Sequence, residues 1–234
     1  MARSLAIVTG ASRGIGRAIA LKLATHYEIA AVARSEGQLE ELRREITDGG
    51  GVCRPIALDI TDHGAVSAAL RDLEPEVLVN NAGVGVVKPL LELTIEEWHR
   101  MVATNFDALF YVTRAVLPGM IRRGGGDVVT IGSLAGRNSF AGGTCYAGTK
   151  HAVIAFTESL MAEVRQQKIR VSVVMPGSVS TTMRANMRSF KEGNATSWML
   201  AAEDVAAAVD YLVRQPPNAH VSRIEMRPSR PGSG

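Results

Sequence analysis

Short apolar runs alternate with longer amphipathic stretches along the whole chain. Residues 5–8, LAIV, form an apolar run closed by glycine and predict a buried strand. Ile15, Ile19 and Leu23 then recur at the spacing of one helix face. The pair repeats: IAAVA at 29–33 predicts a second strand, and Leu39, Leu42 and Ile46 mark a helix that stops at Gly49, Gly50 and Gly51. VCRPIAL at 52–58 predicts a third strand. Its Pro55 cannot donate a ladder hydrogen bond, which assigns this strand to a sheet edge. A helix near 62–73 leads to the strand VLVN at 77–80. Thr94 and Glu97 carry the capping-box pattern of a long helix running toward Arg122, with a late break expected at Pro118. Strands follow at 127–132 and 170–175 with the helix of Tyr146 between them, then a helix near 203–213 and a last strand around 220–226.

Strict alternation of strand and helix predicts one α/β domain over residues 1–226, a Rossmann-like doubly wound parallel sheet of about seven strands with helices on both faces. An edge position for the third strand agrees with the order 3-2-1-4-5-6. Residues 227–234, RPSRPGSG, are expected to form a flexible tail.

Composition agrees with this architecture. The 234 residues are 46% hydrophobic but only 5% aromatic, and an Ala-, Val-, Ile- and Leu-rich chain suits parallel strands buried on both faces. The net charge of +3 is spread along the chain, which argues against a nucleic-acid partner. Cys53 and Cys145 offer no paired framework and fit a reducing compartment. The five histidines show no metal-ligand spacing, so no metal site is expected. No apolar run reaches membrane-spanning length and the N-terminus lacks a signal-peptide pattern, so a cytoplasmic protein without membrane attachment is expected.

The candidate chemistry begins at Gly10, Gly14 and Gly16, between the first strand and the first helix. A turn of small residues lets backbone amides approach a pyrophosphate, and the helix N-terminus adds partial positive charge. The spacing is G-x-x-x-G-x-G, not the G-x-G-x-x-G dinucleotide fingerprint. Farther along, Tyr146 and Lys150 stand four residues apart and share a helix face. A tyrosine that exchanges protons near neutrality needs its pKa lowered by roughly 3 units, about 4 kcal/mol, and a neighbouring ammonium works in that direction.

TGASRGIG (9–16), NNAG (80–83), Asn105, Ser133, YAGTK (146–150) and PGSVST (176–181) together resemble the successive motifs of the short-chain dehydrogenase/reductase family, in its order and spacing, over nearly the whole chain. The resemblance implies hydride transfer between a nicotinamide cofactor and a carbonyl or secondary alcohol. By it, Tyr146 is the general acid/base, Lys150 lowers the pKa of Tyr146 and holds the ribose hydroxyls, Ser133 hydrogen-bonds the substrate oxygen, and Asn105 anchors a water that links Lys150 to solvent. The cofactor is held by Gly10, Ser12, Arg13, Gly14, Ile15 and Gly16, by Asp59 at the adenine with Ile60 beside it, and by Asn81, Ala82 and Gly83 near the adenosine ribose. Tyr146, Lys150, Pro176, Gly177, Val179 and Thr181 complete the set, with Thr181 on the carboxamide. A dinucleotide-sensing binding protein without chemistry is the alternative, and it has no need of Tyr146, Lys150 and Ser133 together.

The end of the second strand selects the cofactor. An Asp or Glu there binds a ribose 2′-hydroxyl, whereas this chain has Ala33 followed by Arg34, with Arg13 inside the glycine loop. Two guanidinium groups suit a 2′-phosphate, so the expected cofactor is NADP(H). Residues 182–200 contribute Met183, Met187, Phe190, Trp198 and Met199, expected to form an adaptable cover over the cleft, while Arg184, Arg188 and Lys191 hint at an anionic substrate. The resemblance also implies a homodimer or homotetramer packed through helices near 97–122 and 144–167. The apolar stripe Val153, Phe156, Leu160 and Val164 either meets a symmetry mate or faces the sheet.

Overall fold

The computed structural model describes residues 3–181 and 197–230. Seven strands form one parallel sheet: β1 (Leu5–Thr9), β2 (Glu28–Ala33), β3 (Val52–Ala57), β4 (Val77–Asn80), β5 (Gly126–Ile131), β6 (Ile169–Pro176) and β7 (Arg223–Met226). Their order is β3-β2-β1-β4-β5-β6-β7. Pro55 sits on the edge strand, in register with Ala31 of β2, as its missing donor requires.

The strands are apolar almost throughout because both faces are covered. In β1, Ala6 and Val8 belong to one core and Ile7 to the other. On the first face, the helices α1 (Gly14–Leu23), α2 (Glu36–Asp48) and α7 (Ala202–Val213) bury Ile19, Leu39, Leu42 and Val209. On the second, α3 (His63–Leu70), α5 (Ala108–Arg123) and α6 (Thr144–Val164) bury Leu70, Val116 and Leu160. Each such side chain contributes roughly 1.5–3 kcal/mol when fully removed from water.

The expected long helix from Thr94 is present but not uniform. Thr94 and Glu97 close the capping box at the start of α4 (Ile95–Val102), and five residues of π-helix, Ala103–Asp107, then join it to α5. Pro118 does not break α5, which continues to Arg123 and ends at Gly124 in the left-handed region, φ 96°. Pro118 is exposed, so the Arg114 carbonyl that loses its donor can bond water instead. Val153, Leu160 and Val164 are buried within the chain, and Phe156 packs edge-on against Phe106 at 6.3 Å. The stripe therefore faces the interior.

Of the expected cover segment, Met183, Arg184, Met187, Arg188, Phe190 and Lys191 lie outside the described residues, as do residues 231–234 of the expected tail. Either side of that segment, Ser180 N–H donates to Leu200 O (2.9 Å) and Leu200 N–H to Ser178 O (3.0 Å). Among the described residues, no helix is long and apolar enough to cross a membrane.

Candidate active site

Connections leave β1 and β4 toward opposite halves of the sheet, which opens a crevice beyond their C-terminal ends. Into it run the glycine turn after β1 and the NNAG turn after β4. A residue that sequence reasoning missed stitches these turns together. The Thr9 hydroxyl donates to Val79 O (3.3 Å) and accepts from Asn81 N–H (3.0 Å) and Ala82 N–H (3.2 Å). Asn81 Nδ2 in turn donates to Thr9 O at 2.9 Å. Asn80 is the structural partner in this turn, buried with its Nδ2 on Thr113 Oγ1 at 3.0 Å.

The glycines are required by close approach. Gly10 has φ 66°, and a Cβ there would lie 2.9 Å from Ala82 Cα. A methyl group on Gly16 would collide with the Gly10 carbonyl oxygen. Backbone thus meets backbone where α1 begins, and among the described residues no side chain caps that helix start. Ala11 N–H donates to Val32 O at 3.2 Å, which ties the glycine turn to the end of β2, one residue before Ala33. Arg13 and Arg34 are exposed beside this turn, and neither meets a carboxylate at ion-pairing distance among the described residues. Ser12 and Ile15 are half-buried in the same turn, and Thr181 reaches Gly14, its Cγ2 3.5 Å from where a Cβ would stand. Pro176 ends β6, Gly177 N–H donates to Met226 O (2.8 Å), and Val179 is buried.

Asp59 accepts from Thr61 N–H (2.9 Å) and Thr61 Oγ1 (2.8 Å), and Asp62, not Asp59, caps α3. The Thr61 bonds hold the Asp59 carboxyl below the usual range, with the charge of Arg34 adding to the effect. Asp59 and Arg34 therefore share one neighbourhood, with Ile60 next in the chain.

Ser133 follows β5, its hydroxyl accepting from Ala135 N–H at 3.1 Å. Tyr146 lies in the first turn of α6, 9% exposed. Burial pushes its phenol pKa up, while a hydrogen bond with Ser133 works in the opposite direction. Lys150 is itself buried and donates to Ile131 O at 3.0 Å, and desolvation pulls its pKa down to about 8. Asn105 is 3% exposed within the π-helical turn. Its Oδ1 accepts from Val84 N–H (2.8 Å), and its Nδ2 donates to Val84 O (2.9 Å) and Thr149 Oγ1 (3.0 Å). Gly83 lies between the two groups: a Cβ there would be 3.3 Å from Asn105 Oδ1 and 3.8 Å from Lys150 Nζ. The residues predicted as catalytic are therefore gathered at one end of the sheet.

The lowered Lys150 pKa has a consequence for stability. Below about pH 8 folded and unfolded chains both carry the proton, and the cost of burying the ammonium is fully present. Between about 8 and the ordinary value of 10.5 the folded chain has released it and the unfolded chain has not, so stability rises with pH across that window. The wild-type Tm relative to Lys150→Met, measured without cofactor, should increase from about pH 7 to about pH 9.5. A difference independent of pH would contradict the burial of a titrating amine.

The donor set fits a dinucleotide: the crowded glycine turn leaves backbone rather than side chain lining the crevice, with cationic groups at its outer end and a phenol and an amine at its inner end. That geometry is the one used by Rossmann-type oxidoreductases. Sequence comparison specifies the class further: the chain belongs to the short-chain dehydrogenase family, whose model matches residues 4–192. It is 34% identical to a probable NADP-dependent dehydrogenase of Haemophilus influenzae, covering 98% of this chain and 95% of that one. It is also 34% identical to the NADP-dependent 3-hydroxy acid dehydrogenase YdfG of Escherichia coli strain K12, over 96% and 94% of the two chains. A metagenomic short-chain oxidoreductase solved in complex with NADP superposes with a TM-score of 0.85 at 33% identity, covering 98% and 99%. The chain is an NADP(H)-dependent oxidoreductase acting on carbonyl or secondary alcohol groups.

Proposed function

We propose that the substrate is a 3-oxo acid, reduced to the 3-hydroxy acid, or the reverse reaction. The resemblance to the 3-hydroxy acid dehydrogenase supports this substrate class. The observation that carries the chemistry is the buried Tyr146 hydroxyl, bonded to Ser133 and one helical turn from Lys150. In reduction, the nicotinamide group supplies the hydride that the carbonyl carbon accepts. Tyr146 donates its proton to the carbonyl oxygen, and Ser133 hydrogen-bonds that oxygen, so that C=O becomes CH–OH. Lys150 holds the ribose hydroxyls and returns a proton to Tyr146, with Asn105 anchoring the water that links Lys150 to solvent.

Arg34 and Arg13 bind the 2′-phosphate, Asp59 and Ile60 border the adenine, and the amides of Ser12, Gly14, Ile15 and Gly16 receive the pyrophosphate. Asn81, Ala82 and Gly83 line the adenosine ribose, and Thr181 with Pro176, Gly177 and Val179 the carboxamide. The protein works in the cytoplasm as a homodimer or homotetramer, with exposed Phe110 and Ile121 of α5 in the contact. NADPH consumption measured against 3-oxo acids, simple ketones, aldehydes and quinones tests the substrate class. The 3-oxo acids should give the highest kcat/KM, and a simple ketone that outperforms all of them overturns the assignment.

A further inference from the structure

Thr149 precedes Lys150 and is buried, 6% exposed, on the side of α6 that meets the π-helical turn. Its single hydroxyl proton is spent on Tyr146 O, 2.8 Å away and one helical turn back. The hydroxyl can therefore offer Asn105 only lone pairs, and it accepts from Asn105 Nδ2 at 3.0 Å. Both protons of that amide are then engaged, one on Thr149 Oγ1 and one on Val84 O. The amide oxygen is left facing Val84 N–H and Gly83, on the side where Lys150 Nζ lies.

We infer that Thr149 is a positioning residue: its hydroxyl fixes the Asn105 amide relative to the Tyr146–Lys150 turn. The inference rests on the catalytic reading given above. Asn105 sits in a five-residue π-helical segment, whose widened turn has fewer backbone constraints of its own than an α-helix. Within the segment the amide is held by two bonds to the loop after β4 and by one bond to α6, the last supplied by Thr149. Removing the hydroxyl leaves a buried Nδ2 proton without an acceptor. The amide can relieve that only by turning away from Val84 or by drawing the π segment off α6. Either movement changes where the Asn105 oxygen stands relative to Lys150. The hydroxyl is buried and already engaged by Tyr146 O and Asn105 Nδ2, so the loss is expected in kcat.

The test compares Thr149→Val, Thr149→Ala and Thr149→Ser with wild type, each alone and in an Asn105→Ala background, with Tyr146→Phe in the same assay. Thr149→Val and Thr149→Ala should lower kcat about 5- to 30-fold, below the roughly 10²-fold that a misplacement of about 1 Å can cost, with KM and the NADPH Kd within about twofold. Thr149→Ser, which restores the hydroxyl, should return kcat to within about twofold of wild type. In the Asn105→Ala background, Thr149→Val should cost less than about twofold more, because the residue acts through the amide already removed. Unchanged kcat in Thr149→Val and Thr149→Ala, failure of Thr149→Ser to restore it, or equal losses in both backgrounds overturns the inference while leaving Tyr146→Phe inactive. If Tyr146→Phe keeps full turnover, the catalytic reading fails, and the role of Thr149 fails with it.

Discussion

Tyr146→Phe should bind NADPH as wild type does and lose turnover by about 10²–10⁴-fold, the usual contribution of a positioned general acid. The ring is buried against Val86, Met101 and Cys145, so the substituted side chain retains its packing and the helix of Lys150 keeps its place. What goes is the one hydroxyl that burial holds protonated beside Ser133. Without it the developing alkoxide has only the weaker Ser133 hydroxyl as a donor, and the barrier rises. Cofactor titration by fluorescence, together with kcat on the best substrate, separates the two effects. A variant that turns over like wild type would remove Tyr146 from the chemistry, and one that no longer binds NADPH would make its role structural.

Arg34→Ala should raise the NADPH Kd about 10- to 150-fold and leave NADH nearly unchanged, since a hydrogen bond to a charged group contributes roughly 1.5–3 kcal/mol. The difference arises because only NADPH presents a phosphate to the guanidinium. Arg34 and Arg13 are both exposed at the mouth of the glycine turn, so they would share that phosphate and their losses need not add. Asp59 lies close enough for its carboxyl to feel the Arg34 charge. Ala33→Asp should go further, by repelling the phosphate and offering NADH a ribose acceptor. Equal weakening of both cofactors by Arg34→Ala, or a wild type that prefers NADH, would exclude 2′-phosphate recognition at this place.

The strands and the edge position of β3 were legible because they depend on local signals: apolar runs, glycine stops, and a Pro55 that fits an edge. The start of α4 was legible for the same reason, its Thr94 and Glu97 bonds being made within four residues. What sequence did not reveal depends on contacts made across the fold. Thr9 serves Asn81, 72 positions away, and Thr149 serves Asn105, 44 positions away, and a lone threonine in a strand or helix carries no mark of such a partner. The π-helical turn is equally silent: Asn105 within it bonds Val84, 21 positions away, and no local pattern marks that partner. Pro118 misled because on the exposed face of α5 the carbonyl it frees can bond water, so the helix continues past it. The stripe from Val153 to Val164 left its partner undecided, since apolar periodicity shows that a face is covered but not by what.

Isotope tracing follows the transferred hydride itself. Wild type would be given NADPH carrying deuterium at the transferable C4 position together with a 3-oxo acid, and the product analysed by mass spectrometry and NMR. The account predicts one deuterium on the carbinol carbon of the 3-hydroxy acid, in step with NADPH consumed, and almost none formed by Tyr146→Phe in the same time. Hydroxy acid without label at that carbon, or NADPH left intact with every carbonyl compound offered, would contradict it.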